Sequence, residues 1–412
     1  MSHSLSSANV RESSELKDLP RIGATPRVTS IDAYRGWVML LMMAEVLEFC
    51  SVSANLPANG FWKFLCQQQS HVEWIGCSLH DLIQPSFSFL VGVALPFSLA
   101  RRTIEGQPQW RRTAHAFWRA LILIVLGVLL RSIGHSQTYW TFEDTLTQIG
   151  LGYGFLYLLG LRSTRVQWLA FALILVGYWL AFALYPLPGR DFDWRAAGVS
   201  AADATQLSGF AAHWSKNTNL AWAFDNWFLN LFAREHPFTQ NEGGYCTLSF
   251  IPTLATMILG LLAGNVLRNN RSPKERVRWL LSAGAIGILA GLAAGGFGIC
   301  PIVKRIWTPS WTLFSGGICF VLLAGFYWVM DLHHNKRWAF PLTVVGRNSI
   351  TAYCIAHLFP AFIAQNLATH FGARAFQIFG ADYEPLLRGV MILLILWLIL
   401  FWMFRRKIFL RI

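Results

Sequence analysis

Between Ser70 and Asp81 the chain reads Ser-His-Val-Glu-Trp-Ile-Gly-Cys-Ser-Leu-His-Asp, which sets two histidines and two carboxylates just before the apolar run from Leu82 to Ala100. Polar groups at the lip of an apolar helix are costly to desolvate, and such positions point to a task. A neutral imidazole can take a proton from an attacking hydroxyl or amine, or can itself attack an acyl group, and its ordinary pKa near 6.5 suits both roles. Asp81 is placed to orient such a histidine or to offset its charge. Residue chemistry alone gives no basis for choosing between His71 and His80.

Further polar residues interrupt the apolar segments. Glu45 and Glu48 fall i,i+3 on one face of the first segment, with Asp32 and Arg35 at its start. Glu45 is thus a candidate for a pocket or coupling role, with a structural ion pair as the alternative. Arg131, Glu143, Asp144 and Gln148 fall at the same membrane face as His71, where they can line one vestibule or tie loop ends together. Lys304 and Arg305 are positive charges in a short loop whose sidedness disfavours them, and Lys304 is a candidate site residue for that reason. Gly346-Arg347-Asn348-Ser349 puts a charge and an amide inside the ninth apolar segment; arginine suits phosphate, and glycine lets a ligand approach the backbone. A buried pair of Arg347 with Glu45 or Asp32 is the alternative. The seven cysteines show no CxxC or His-paired spacing, so no metal is expected. Cys66 and Cys77 can pair if their loop faces an oxidising compartment, but the odd count and scattered positions favour cysteines that serve as small buried residues.

The elements that must hold these groups are membrane helices. Of the 412 residues 54% are hydrophobic and only 13% charged, the signature of an all-α polytopic bundle in a lipid bilayer. The net charge of +13 comes in short clusters between apolar runs, with no groove-reading motif, which argues against nucleic acid. About ten segments approach the roughly 20 residues needed to cross a bilayer, near 36–54, 82–100, 114–131, 145–161, 166–185, 247–267, 279–298, 309–331, 338–359 and 387–405. Alternate loops carry the basic clusters, including Arg101, Arg102, Arg111 and Arg112, so the positive-inside rule puts both termini in the cytoplasm and the His71 loop outside. Residues 1–30 lack the apolar core of a signal peptide and read as a cytoplasmic polar tail, followed by one transmembrane domain over 31–412. Its long outer loop, 186–246, holds Trp194, Trp214, Asn217, Asn219, Trp222, Asp225, Asn226 and Trp227, a mixture that suits either carbohydrate or an interfacial aromatic belt. Exposed aromatic spans permit a homodimer.

Several blocks together resemble one family. They are Ser30-Ile31-Asp32-Ala33-Tyr34-Arg35-Gly36, His71 to Gly76, Asp81 to Phe89 with Gly92, Leu146-Thr147-Gln148-Ile149-Gly150, Gly243 to Leu248, Pro301 to Thr308, and Trp338 to Pro341 with Gly346 to Ile350. Their order over Arg27 to Phe359 is similar to that of the heparan-α-glucosaminide N-acetyltransferase-like transmembrane acyltransferases, whose bacterial members include proteins labelled as N-acetylglucosamine-related transporters. The resemblance implies acetyl-CoA as cytosolic donor and the amino group of a glucosamine-type sugar or envelope glycan as acceptor on the far side of a bacterial inner membrane. The family's essential histidine maps to His71, with Asp81 in support, and not to His80. Arg35, Arg347 and Asn348 are then expected near the donor, and Glu45, Asp144, Gln148, Glu242 and Lys304 near the acceptor. Glu45 stands approximately where the family's lysosomal member has an asparagine, and that member's additional N-terminal luminal portion and span have no counterpart in this sequence. The alternatives are an amino-sugar transporter, with Glu45 coupling protons and Arg347 as a gate, and O-acylation of an envelope polysaccharide.

Overall fold

The computed structural model describes residues 28–372 and 374–410, so the tail expected over 1–30 falls, but for its last three residues, outside the described part. The protein is an all-α membrane bundle. Its helices are α1 (Thr29–Met43), α2 (Phe49–Asn55), α3 (Gly60–Gln69), α4 (Ile83–Ile104), α5 (Gln109–Arg131), α6 (Thr145–Gly160), α7 (Thr164–Ala183), α8 (Leu220–Phe228), α9 (Phe250–Arg268), α10 (Pro273–Gly296), α11 (Pro309–Tyr327), α12 (Phe340–Arg347), α13 (Ser349–Leu358), α14 (Pro360–Phe371) and α15 (Glu384–Arg405). Among the described residues eight helical segments are long and apolar enough to cross a membrane, or nine if the bent pair α13–α14 counts as one. Each of the ten expected segments is helical, but α6 has only 16 residues and the ninth is broken into pieces.

Starts are encoded locally. Asp144 caps α6, Ser272 and Glu275 form a reciprocal capping box before α10, and Thr308 caps α11 with Pro309 in its first turn. The core is built around α9, whose most apolar stretch is 83% buried within the protein, against 17% for α10, which is left to face lipid. Close packing of α9 on α4 depends on Gly92 and Gly260: a Cβ at either would collide with backbone oxygen of the other helix, Met257 and Phe89 respectively. Gly346 has the same function between α12 and α1, where Asp32 and Gly36 pass against it. The room that the sequence suggested for a ligand is therefore occupied by a neighbouring helix.

Two breaks shape the interior. After Met43 the first span tightens into a 3-10 turn, Ala44–Leu47, and Glu48 takes a left-handed conformation (φ 49°) before α2 starts. This destroys the shared helical face expected for Glu45 and Glu48. Glu48 pairs with Arg388 (3.3 Å) and accepts from Ser51, whereas Glu45 turns to His80. The second break is a 56° bend between α13 and α14 at Phe359–Pro360, where proline cannot donate into the preceding turn.

The 186–246 stretch is held together by the residues that suggested carbohydrate. Asn219 caps α8, Asn217 donates to the carbonyls of Ala197 and Asn241, and the Trp222 indole and Asn226 amide both donate to Thr239 O. Trp214 is fully buried and accepts the Trp74 indole N–H on its carbonyl, and Asp225 accepts from Thr247 N. Cys66 is disulfide-bonded to Cys50 and not to Cys77, which is a free thiol: α2 and α3 lie side by side and bring the first pair together.

Candidate active site

The loop between α3 and α4 is folded around one carboxylate. Asp81, 1% exposed at the start of the second span, accepts from Val72 N (3.2 Å), Ser78 N (3.0 Å) and Ser78 Oγ (3.0 Å) on Oδ2. Its Oδ1 receives His71 Nδ1 at 2.7 Å and the buried Lys304 Nζ at 3.1 Å. Lys304 Nζ also lies 3.0 Å from His71 Nδ1, but an ammonium has no lone pair, and Nδ1 beside a carboxylate is itself the donor; the two donors share one oxygen. The proton of neutral His71 is thereby assigned to Nδ1, which leaves Nε2 with the free lone pair on a side chain 37% exposed. Burial pushes the His71 pKa below its ordinary value, and the Lys304 ammonium adds to that, against the upward pull of Asp81. Burial lowers the Lys304 pKa as well, with Asp81 opposing.

The segment Pro301–Thr308 fixes this loop from above. Gly76 N donates to Ile302 O, Ile75 and Val303 form an isolated antiparallel bridge, and Arg305 donates to the carbonyls of Val72 (3.1 Å) and Gly243 (2.6 Å). Arg305 also lies over the Tyr245 ring, which faces His71. Lys304 and Arg305 thus hold the loop that carries His71, Lys304 through Asp81 and Arg305 through the Val72 carbonyl.

His71 opens into a cavity of about 340 Å³ together with Glu45, His80, Gln84, Phe87, Arg131, Glu143, Asp144, Tyr245, Lys304, Tyr353 and His357. His80 Nε2 lies 2.8 Å from Glu45 Oε1, and its ring centroid is 4.7 Å from that of His71. His357 donates from Nδ1 to Tyr353 O, again leaving Nε2 unprotonated when neutral. Burial raises the Glu143 pKa despite Arg131 nearby, and pushes the Tyr245 hydroxyl up to about 12. Among the described residues no three His, Cys, Asp or Glu side chains converge as metal ligands.

A second cavity, of about 330 Å³, lies at the other end of α4. Its polar wall is Arg35, Arg101, Arg102, Arg112, Arg119, Arg347 and His115, with Asp32 as the acidic member, and its apolar wall includes Val91, Leu95 and Leu99. Phe87 borders both cavities. On α4 the lining positions run from 83 to 102, and among them 84, 87, 91, 94, 95, 98 and 102 follow one face of the helix over about 27 Å at 1.5 Å per residue.

The structure thus brings His71, Lys304, Glu45 and Asp144 to one cavity, with Asp81 buried behind His71, and Arg35 and Arg347 to the other. Three expected residues are elsewhere. Asn348, 1% exposed, donates to Ile408 O and borders neither cavity; Gln148, fully buried, donates to the carbonyls of Phe142 and Thr247 and clamps the long loop to α6. Glu242 is exposed and outside the lining set. Asp144 borders the cavity, but its carboxylate accepts from Leu146 N, Thr147 N and Thr147 Oγ as a helix cap. Tyr245 and His357 line the first cavity and Arg112 and Arg119 the second, none of them expected from the sequence as a site residue. An arginine at 119 and a histidine at 357, both inside apolar segments, were the available signals.

No family model matches the chain. Among curated proteins it is similar to the human heparan-alpha-glucosaminide N-acetyltransferase, 22% identical over 371 residues, which is 80% of this chain and 52% of that protein. It is similar to the mouse protein of the same name at 22% over 376 residues, 81% of this chain and 54% of that one. The chain therefore spans about half the length of these curated relatives, and the aligned portion takes in most of the bundle described above.

Proposed function

We propose that this protein is a transmembrane acetyltransferase that moves an acetyl group from cytosolic acetyl-CoA to an amino sugar or envelope glycan across the membrane. The observation that carries the reading is the stripe of α4 that lines both cavities. One end offers an oriented histidine, the other a cluster of arginines suited to phosphates, and Phe87 separates them. The similarity to two N-acetyltransferases supports the same class of reaction. In this reading Arg35, Arg112, Arg119 and Arg347 hold the phosphates of the donor, and the apolar wall along Val91 and Leu95 guides its thioester arm toward Phe87. His71 Nε2 serves as general base for the attacking acceptor or as nucleophile carrying the acetyl group, and Asp81 fixes its tautomer and offsets the imidazolium charge. Lys304 keeps Asp81 ionised.

Orientation follows from the basic clusters: the arginine cavity faces the cytoplasm with both termini, and the His71 cavity faces out of a bacterial inner membrane. Residues 31–412 form the catalytic domain, and the 186–246 loop roofs the acceptor side. Purified protein given labelled acetyl-CoA and glucosamine should transfer label, and His71→Ala should not. Sugar uptake by proteoliposomes with no transfer to any acceptor would establish the transporter instead. A cysteine at Val72 should label from outside intact cells; labelling only after permeabilisation would reverse the orientation.

A further inference from the structure

Acetylating an amine requires the removal of two protons from one nitrogen. At neutral pH the acceptor arrives as R–NH3+ and leaves as an amide R–NH–, so the nitrogen loses one proton before attack and a second after the C–N bond forms. A single imidazole serves one of these. A hydroxyl acceptor loses one proton only. This difference gives meaning to a pair that the acetyl-transfer reading leaves unused.

Glu45 sits on the 3-10 turn that interrupts the first span, and its side chain is 58% exposed, with Oε1 2.8 Å from His80 Nε2. The other carboxylates at or behind the cavity wall are committed: Asp81, buried behind His71, accepts from the His71 loop and Lys304, Asp144 caps α6, and burial favours the protonated form of Glu143. The His71 and His80 rings lie 4.7 Å apart, centroid to centroid, and both border the cavity with Glu45.

Resting on the acetyl-transfer reading, we propose that Glu45 and His80 are a second proton-accepting pair that binds the acceptor as an ammonium ion and removes its first proton, so that the acceptor is an amine. The Glu45 carboxylate attracts the ammonium, and the pair takes one proton to leave R–NH2. The nitrogen lone pair then attacks the thioester carbonyl, the C–N bond forms and the C–S bond breaks. His71 accepts the second nitrogen proton, which neutralises the departing thiolate, and the pair returns its proton to solvent through the cavity mouth. The balance is R–NH3+ plus acetyl thioester giving R–NH–acetyl, thiol and one proton. In the covalent variant His71 Nε2 first takes the acetyl group and the departing thiolate takes a proton from solvent; the R–NH2 lone pair then attacks the acetyl-imidazole, the C–N bond to His71 breaks, and the second nitrogen proton passes to the released Nε2 and on to solvent, so the overall balance is the same. The groups facing the pair are His71 and His357, with Arg131, Lys304, Glu143 and Asp144 on the remaining wall.

The test compares wild type, Glu45→Gln and His80→Asn, each monodisperse by size exclusion, using labelled acetyl-CoA with glucosamine between pH 6 and pH 9. The expected result is a kcat/KM deficit of about 100-fold at the acid end, the scale of one general base, that closes as the pH passes the amine's own pKa and the free base predominates. Equal deficits at every pH, or none, would overturn the pair's role while wild-type transfer upheld the underlying reading. If Glu45→Gln does not remain monodisperse, His80→Asn decides. Transfer to glucose but never to glucosamine would overturn the amine assignment alone, and transfer to neither would overturn acetyl transfer itself.

Discussion

The two cavities joined by α4 are built on opposite electrostatic plans. At the His71 end, charges of both signs are interleaved at hydrogen-bond distance: His71 and Lys304 share one oxygen of Asp81, and His80 meets Glu45. At the other end six arginines face one aspartate, Asp32. Interleaving fixes tautomers and tunes proton affinity, and a field of one sign holds an anion without fixing where any proton sits. On the proposed reading, proton chemistry belongs to one end of the bundle and anion binding to the other, so damage at each end should alter different kinetic constants.

The largest expected effect tests that separation directly. His71→Ala should lower acetyl transfer by about 1,000-fold, within the range for an acid–base group, while acetyl-CoA binding measured by equilibrium dialysis stays at the wild-type level. A parallel loss of donor binding would show that the two ends are not separate. Asp81→Asn comes next, at about 100-fold in kcat, because an amide can donate to Nδ1 and so favour the unproductive tautomer. Its readout is kcat with KM for donor unchanged.

Arg112→Ala and Arg119→Ala should act on the other constant. Each removes one charge-assisted contact and should raise KM for acetyl-CoA by about 10-fold, with kcat retained and with a weaker dependence of KM on salt. A kcat defect without a KM defect would place the donor elsewhere. Arg119 is already held at one end by the Tyr153 hydroxyl (3.3 Å), under whose ring its guanidinium sits at 4.7 Å, so its orientation is set before any ligand arrives.

How much of this was legible in the sequence follows the same division. Apolar length and the clustering of arginines revealed the bundle, and Lys304 was visible because it broke the orientation rule. Gln148 and Asn348 misled because a buried amide looks the same whether it meets a ligand or a carbonyl; here both donate to the backbone of other segments, Thr247 and Ile408. The Glu45–His80 pair was hidden because the helical spacing of Glu45 and Glu48 assumed an unbroken helix, and the left-handed Glu48 cancels that spacing. Arg101, Arg102 and Arg112 were visible as topology signals, yet only the packing of α5 on α6, and of α6 on α4, shows that they border one cavity.

The smallest effect is the most specific to the interleaved end. Lys304→Met removes the ammonium 3.0 Å from His71 Nδ1 and leaves Asp81 Oδ1 to the imidazole alone. Both changes favour the imidazolium, so the His71 pKa should rise from its depressed position. On the proposed reading only neutral His71 is competent, and its fraction grows as pH rises through that pKa. In wild type the acid limb of kcat/KM should therefore lie below the ordinary imidazole value of 6.5, and in Lys304→Met it should move to higher pH. At alkaline pH, where both proteins carry neutral His71, the two should converge to within a few-fold. A variant that loses activity equally at all pH values would mean that Lys304 contacts the acceptor or holds the loop, and that the low proton affinity of His71 comes from burial alone.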